Sequence, residues 1–211
     1  MGRTSDARDK ILSAAQTLIE QRGYTALGVA EICAAAGVPK GSFYHFFESK
    51  QALALTVIDE HWTEQRRQWT GLLGADRPPL QRLRDLFEAT EKVQRIGQQD
   101  NGTVVGCLFG NLALELSNQA DDVRHRLQEI FDEQIKLIEK VVAEAHERGD
   151  TAATVDTHTA AQSIVAQLEG QVLFAKLLND PGQIEAMWRN CLALLGVVDP
   201  DPTRPGVAGS A

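Results

Sequence analysis

The chain is predicted to be all-α: an N-terminal three-helix unit carrying a helix-turn-helix, then a larger helical domain, about nine helices in total. Three observations predict this class. Apolar residues recur at three- and four-residue spacing through most of the 211 residues. No stretch alternates as a strand would, and no repeat stands out. The breaks between periodic segments carry the Gly, Pro and Asp that end or open helices.

Each element follows from its own residues. Residues 8–21 place Ile11, Ala14, Ala15, Leu18 and Ile19 on one face, and Gly23 ends that helix. Residues 29–37 set Val29, Ile32, Cys33 and Ala36 at i, i+3, i+4 and i+7, the stripe of a small amphipathic helix. Gly37 stands where a helix C-terminus takes a left-handed residue, and Pro39 opens the short helix that follows. Ser49 is the expected N-cap of a helix from Lys50 through about Leu72, with Leu53, Thr56, Val57 and Glu60 along one face. The break at 74–79 (GADRPP) ends in Pro78 and Pro79, which open a helix over 80–96. A polar gap at 97–102 precedes a short apolar helix near 107–116. Asp121 and Asp122 favour the start of a long amphipathic helix to His146, closed by Gly149. Helices over 157–178 and 184–195 complete the set, and residues 197–211 (VVDPDPTRPGVAGSA) are expected to form a disordered tail.

The second helix of the helix-turn-helix, in the segment PKGSFYHFF, carries polar and aromatic residues where a core helix would carry leucines. In such a motif that helix enters the DNA major groove. Charge distribution permits this reading without announcing it. Net charge is −8, yet residues 1–54 hold six Lys/Arg against five Asp/Glu, so the acidity lies in the remainder, at −9. Bulk acidity discourages loose, non-specific attachment to DNA. No run of about 18 apolar residues offers a membrane span, and no apolar stretch follows the N-terminal MGRTSDARDK, so a secretory signal is not expected. Three widely spaced cysteines, Cys33, Cys107 and Cys191, fit a reducing cytoplasm rather than a disulfide framework.

From Ile11 to Leu53 the sequence resembles the TetR family of transcriptional regulators. The first helix closes in Gly23-Tyr24, and Ile32–Leu53 follows the family run I-A-x-x-A-G-V-[SP]-x-G-x-[FL]-Y-x-[HY]-F-x-x-K-x-x-L with two departures. Cys33 replaces a small alanine, and Phe46 stands where His or Tyr would bond a phosphate. Leu27-Gly28 also replaces the usual Thr/Ser, weakening the N-cap of the second helix and another phosphate contact. The resemblance implies an all-helical homodimer with a DNA-binding domain at 1–53, a ligand-binding and dimerisation domain at 54–196 and the tail at 197–211. It implies a palindromic double-stranded operator, and repression relieved when a small-molecule effector alters the spacing of two reading heads that must reach half-sites about one helical turn apart (~34–36 Å).

Chemistry assigns roles within this frame. Gly41 lets the backbone approach the duplex closely. Lys40 and Ser42, at the N-terminal end of the recognition helix, are placed to reach base edges, Lys preferring guanine O6/N7. Tyr44 and His45 suit phosphates or a thymine methyl, and Lys50 adds its charge to a helix start for a phosphate. Phe43 and Phe47 are expected in the core.

The expected effector residues are Cys107, Asn111, Lys176, Trp62 and Phe109. Cys107 opens a helix in GCLFGN, where a helix N-terminus lowers a thiol pKa. Lys176 lies in the apolar run VLFAKLL, where a buried cation needs a partner. A Cys107 thiolate beside Lys176 would make an electrophile-sensing pair, and the combination of GVPKGSFYHFF with GCLFGNLALELS resembles the TetR subgroup that responds to reactive electrophiles and unsaturated small acids. Two other readings stand: Cys107 as a small hydrophobe, and Lys176 snorkelling or paired with Glu115 or Glu169. Trp62, Trp69, Phe87, Phe109, Phe131 and Phe174 line a pocket or build the core. In the last two helices, Ile164, Leu168, Gln171, Val172, Ala175 and Leu178, with Met187, Trp188, Cys191, Leu192 and Leu195, form either the core or a dimer interface. No histidine has metal-ligand spacing, so neither a metal nor a cofactor is expected. A thiol-dependent enzyme with Cys107 as nucleophile is the rival reading, but no base lies near it in sequence and no phosphate-binding or nucleophile-elbow motif occurs, so no catalytic residue is assigned. A helical adaptor without DNA would leave Lys40, Tyr44, His45 and Lys50 unexplained.

Overall fold

A computed structural model describes residues 3–197. The described residues form nine α-helices and one 3-10 turn. They are α1 (Arg3–Arg22), α2 (Val29–Ala35), α3 (Lys40–Phe46), α4 (Lys50–Leu73), α5 (Pro79–Asn101), α6 (Leu108–Leu116), α7 (Asp121–Glu147), α8 (Thr157–Leu178) and α9 (Ala186–Leu194), with the 3-10 turn at Pro181–Glu185. The tail expected beyond Val197 lies outside the described residues.

Helix ends follow local chemistry. Gly23 and Gly37 take left-handed φ of 79° and 65°, a region that β-carbons disfavour. At the second of these, the amide of Val38 donates to Cys33 O at 3.0 Å and that of Gly37 to Ala34 O at 3.1 Å, closing the orphan carbonyls of α2. Ser49 Oγ accepts from the Ala52 amide at 3.0 Å and starts α4. Gly28 caps α2 with no side-chain bond, the consequence of having neither Ser nor Thr there.

Two boundaries differ from the sequence expectation. Helix α5 does not stop at residue 96 but runs through Gly97 to Asn101, ending where Gly102 turns left-handed. A lone glycine weakens a helix by about 1 kcal/mol relative to alanine, too little to break one packed along its length. The last helical segment begins as a 3-10 turn at Pro181, because Asp180 accepts from the Gly182 amide and Pro181 fits the first turn.

The chain divides into two compact units, Met1–Gln65 with Cys107–Ile130, and Arg66–Gly106 with Phe131–Ala211. The first holds α1–α3, the start of α4, α6 and the start of α7. Ile11, Ile19, Ile32, Phe43, Leu53, Ile58 and Phe109 are each at most 2% exposed and form its core. The second holds the rest of α4 and α7 with α5, α8 and α9. Its core includes Leu83, Leu86, Ile138, Ile164, Met187 and Cys191. There the buried Arg82 ties three helices, donating to Leu73 O at 2.8 Å and pairing with Glu144. A buried guanidinium needs such partners to offset lost hydration.

Helix α8 buries Ala161, Ile164, Leu168, Val172 and Ala175 and turns Leu173, Phe174, Leu177 and Leu178 outward. Most of the stripe that the sequence left open is therefore core. The exposed apolar stripe is its neighbour at i, i+1, i+4 and i+5.

Candidate nucleic-acid interface

Helix α3 has two unlike faces. Phe43 and Phe47, four residues apart, point inward at 0% and 4% exposure, their ring centroids 5.7 Å apart. Lys40, Gly41, Tyr44 and His45, at i, i+1, i+4 and i+5, lie on the exposed side, and Ser42 is half-buried. Tyr44 is 60% exposed although its ring packs edge-on against Phe43, centroids 5.2 Å apart. A β-carbon added at Gly41 would meet nothing within 4 Å, so the fold does not itself require a glycine there.

Lys50 takes a different geometry from the phosphate contact expected of it. Its Nζ donates to Tyr24 O at 3.0 Å and Leu27 O at 2.8 Å and sits 4.0 Å from the centre of the Tyr24 ring. Burial lowers its pKa, and the nearby Glu115 partly restores it. Five of the six expected DNA-contact residues thus share one stretch of α3, while the sixth braces the turn between α1 and α2.

The expected effector residues divide between the units. Cys107, Phe109, Asn111 and Trp62 belong to the first, and Lys176 belongs to the second. Cys107 is half-buried at the N-cap of α6, its Sγ accepting from the Gly110 amide at 3.5 Å. Asn111 follows four residues on, one turn along the same helix. Phe109 is fully buried and meets both His61 and Trp62 edge-on, with centroids 5.2 and 6.1 Å apart. The Trp62 indole N–H is buried without a hydrogen-bond partner among the described residues. Lys176 is half-buried in the last turn of α8. Cys33 and Cys191 are buried, and burial pushes the Cys191 thiol up to about 12. Of the six aromatic residues that the sequence left between pocket and core, Trp62, Trp69, Phe87 and Phe109 are buried, Phe131 is half-buried, and Phe174 faces outward.

Sequence reasoning missed the polar residues that hold these pieces. Buried Gln94 brackets Gly106, donating to its carbonyl at 3.1 Å and accepting from its amide at 3.0 Å. Asn179 accepts from the Val104 amide at 2.8 Å and donates to Gly102 O at 3.2 Å. Both pin the segment leading into Cys107. Glu115, weighed only as a partner of Lys176, takes the amides of Tyr24 at 3.0 Å and Thr25 at 2.7 Å. The one hint in the sequence was Glu115 within the apolar run NLALEL, where a carboxylate needs partners; Gln94 and Asn179 stand among polar neighbours and gave no such signal. Among the described residues no group of three or more His, Cys, Asp or Glu is placed to hold a metal, and no helix is long and apolar enough to cross a membrane.

A short glycine-linked helix pair whose second helix bears exposed Lys, Tyr and His defines a helix-turn-helix DNA-binding protein. Residues 11–57 match the family model of bacterial regulatory proteins, tetR family, and residues 79–191 match the tetracyclin repressor-like C-terminal domain. The chain belongs to the TetR family of transcriptional regulators, which are not enzymes. It is 34% identical over 178 residues to the HTH-type transcriptional repressor DhaR of Mycobacterium sp. strain GP1, covering 84% of this chain and 85% of that protein. Among solved structures, the regulatory protein TetR from Rhodobacter sphaeroides superposes with a TM-score of 0.82 at 30% identity, covering 89% of this chain and 98% of the other. The reduced form of Escherichia coli NemR superposes at 0.77 with 27% identity, covering 90% and 98%.

Proposed function

We propose that this regulator is a cytoplasmic homodimeric repressor that grips a palindromic operator through α3 and lets go when a small electrophile reacts at Cys107. The reading divides the chain functionally into a DNA-binding domain at 1–53 and an effector-binding and dimerisation domain at 54–196. The outer face of α3 carries the DNA reading. Lys40 and Ser42 take base edges, Tyr44 and His45 take phosphate or sugar, and Gly41 has no packing reason within the chain to lack a side chain. Lys50 serves from behind by holding the turn. Two heads are needed to read a twofold site, and the exposed stripe Leu173, Phe174, Leu177 and Leu178 on α8 supports pairing of two copies.

On the effector side, Cys107 is the least buried of the three cysteines and caps a helix whose amides favour thiolate character. Addition to an activated alkene forms one S–C bond, and a proton from solvent completes the neighbouring carbon, so nothing leaves and no oxidant is needed. Asn111, Trp62 and Phe109, which belong to the same compact unit as Cys107, supply the surroundings of that reaction.

A shift assay on a palindrome flanking the chain's own gene tests the reading. Wild-type protein binds saturably and more weakly as salt rises. Lys40→Ala loses about 1–3 kcal/mol of binding. N-ethylmaleimide releases wild-type protein but not Cys107→Ser; release of both would remove Cys107 from the mechanism.

A further inference from the structure

The turn between α1 and α2 is gripped from two sides. On one side, both carboxylate oxygens of Glu115 on α6 are occupied by backbone amides, Oε1 by Tyr24 at 3.0 Å and Oε2 by Thr25 at 2.7 Å. On the other side, the Lys50 ammonium at the start of α4 takes the carbonyls of Tyr24 and Leu27. Gly23 is required by its left-handed φ of 79°, and a β-carbon there would stand 2.7 Å from Glu115 Oε1 and displace that carboxylate. Past the turn, Gly28 starts α2 without a side-chain cap, and Arg22 before it pairs with Glu31 of α2. The start of the helix-turn-helix is therefore tied to α6 through one carboxylate. These groups all lie within the first compact unit.

Glu115 follows the N-cap Cys107 by eight residues, a little over two turns of the same helix. A short helix moves as one body, so displacement at its N-terminus is carried to Glu115. Alternative structural supports for α6 do not need a charge there: Leu108, Phe109, Leu112 and Leu116 already bury its apolar face. A carboxylate accepting two amides is a directional link, and charge-assisted bonds of this kind are roughly twice as strong as neutral ones.

We propose that Glu115 is the positioning residue through which the state of α6 reaches the reading head: its carboxylate holds the α1–α2 turn, and movement of α6 shifts or frees α2 and α3. The inference rests on the reading of α6 as the effector side of the protein, and its test is separate from that reading. Hydrogen exchange is followed in the full-length chain before and after alkylation by N-ethylmaleimide, with mass spectrometry establishing modification at Cys107 alone. In the wild type, alkylation speeds exchange of amides across residues 24–46 by at least about fivefold, the lower end of ordinary coupling between sites. In Glu115→Gln, which keeps the side chain's size but loses its charge and one acceptor, those amides already exchange faster, and alkylation adds no further change. Residues 157–178 of α8 are unaffected by the substitution, which separates loss of a link from general destabilisation.

A wild-type head that ignores alkylation overturns the proposal without any variant, and so does an equal response in Glu115→Gln. Operator release by the same reagent is scored separately. A head that loosens while the operator stays bound would defeat the sensor reading and leave the Glu115 link standing.

Discussion

At the scale of single residues, His61 shows how burial sets chemistry. It lies on α4 beneath Phe109, and its Nδ1 is 3.1 Å from the Gln16 amide nitrogen, which also donates to Glu20 at 3.0 Å. That arrangement suits a neutral ring accepting at Nδ1, and burial lowers the His61 pKa from its ordinary 6.5. The unfolded chain then binds a proton that the folded chain refuses, so this residue removes stability as pH falls below about 6.5. Thermal melts of His61→Gln from pH 7 to pH 5 should lose less Tm than the wild type; parallel curves would refute the assignment. His158, exposed beside Glu139, is shifted upward and works in the opposite sense, contributing below its ordinary pKa and losing that contribution as pH rises through the raised value. Residue-level expectations from sequence succeeded where apolar character decided the outcome, as with Phe43 and Phe47. They did not foresee the Tyr24 and Leu27 carbonyls that Lys50 meets, because a long flexible side chain chooses between solvent and carbonyls brought close only by folding.

At the scale of elements, boundaries were legible wherever a cap residue marks them. Ser49, Gly37 and Gly149 each follow from local backbone needs, whereas the Asp156 cap of α8 emerged only in the folded chain. Helix α5 was longer than expected because the polar run after Gly97 still packs and hydrogen-bonds as helix, with the Asn101 side chain donating to Gly97 O at 3.0 Å. The cap of α8 makes a prediction at this scale. Asp156 accepts from the Thr159 amide at 2.7 Å, and its bonds to Thr159 hold its pKa below the ordinary 3.8. A depressed carboxylate contributes stability above its unfolded pKa and loses it as pH falls through the folded value. Asp156→Ala should therefore melt below the wild type at pH 7, and the gap should close as pH falls below about 3.8. A gap independent of pH would assign the loss to something other than the ionised cap.

At the scale of the whole molecule, the exposed α8 stripe is the feature that a lone chain does not explain. Leu173, Phe174, Leu177 and Leu178 are between 52% and 72% exposed on one side of a helix whose other side is core. Phe174→Glu combined with Leu178→Glu should leave the helical circular dichroism intact while sedimentation shows a monomer. Because a twofold operator needs two linked heads, the same variant should lose most operator affinity. A dimer that survives both charges would place the interface elsewhere.

The sequence by itself determined the helical class, nearly every helix, the glycine turn at Gly37 and the residues presented by α3, because periodicity, caps and turn chemistry act over a few neighbours. Tertiary structure decided which face of α8 is core, that Lys50 turns inward, and that Glu115 meets Tyr24 and Thr25. Those outcomes depend on groups distant in the chain, 26 residues for Lys50 and Tyr24 and 90 for Glu115 and Thr25, or on which of two adjacent apolar stripes finds a partner. Local pattern marks a polar residue within an apolar helix as needing a partner, and only the folded chain supplies one.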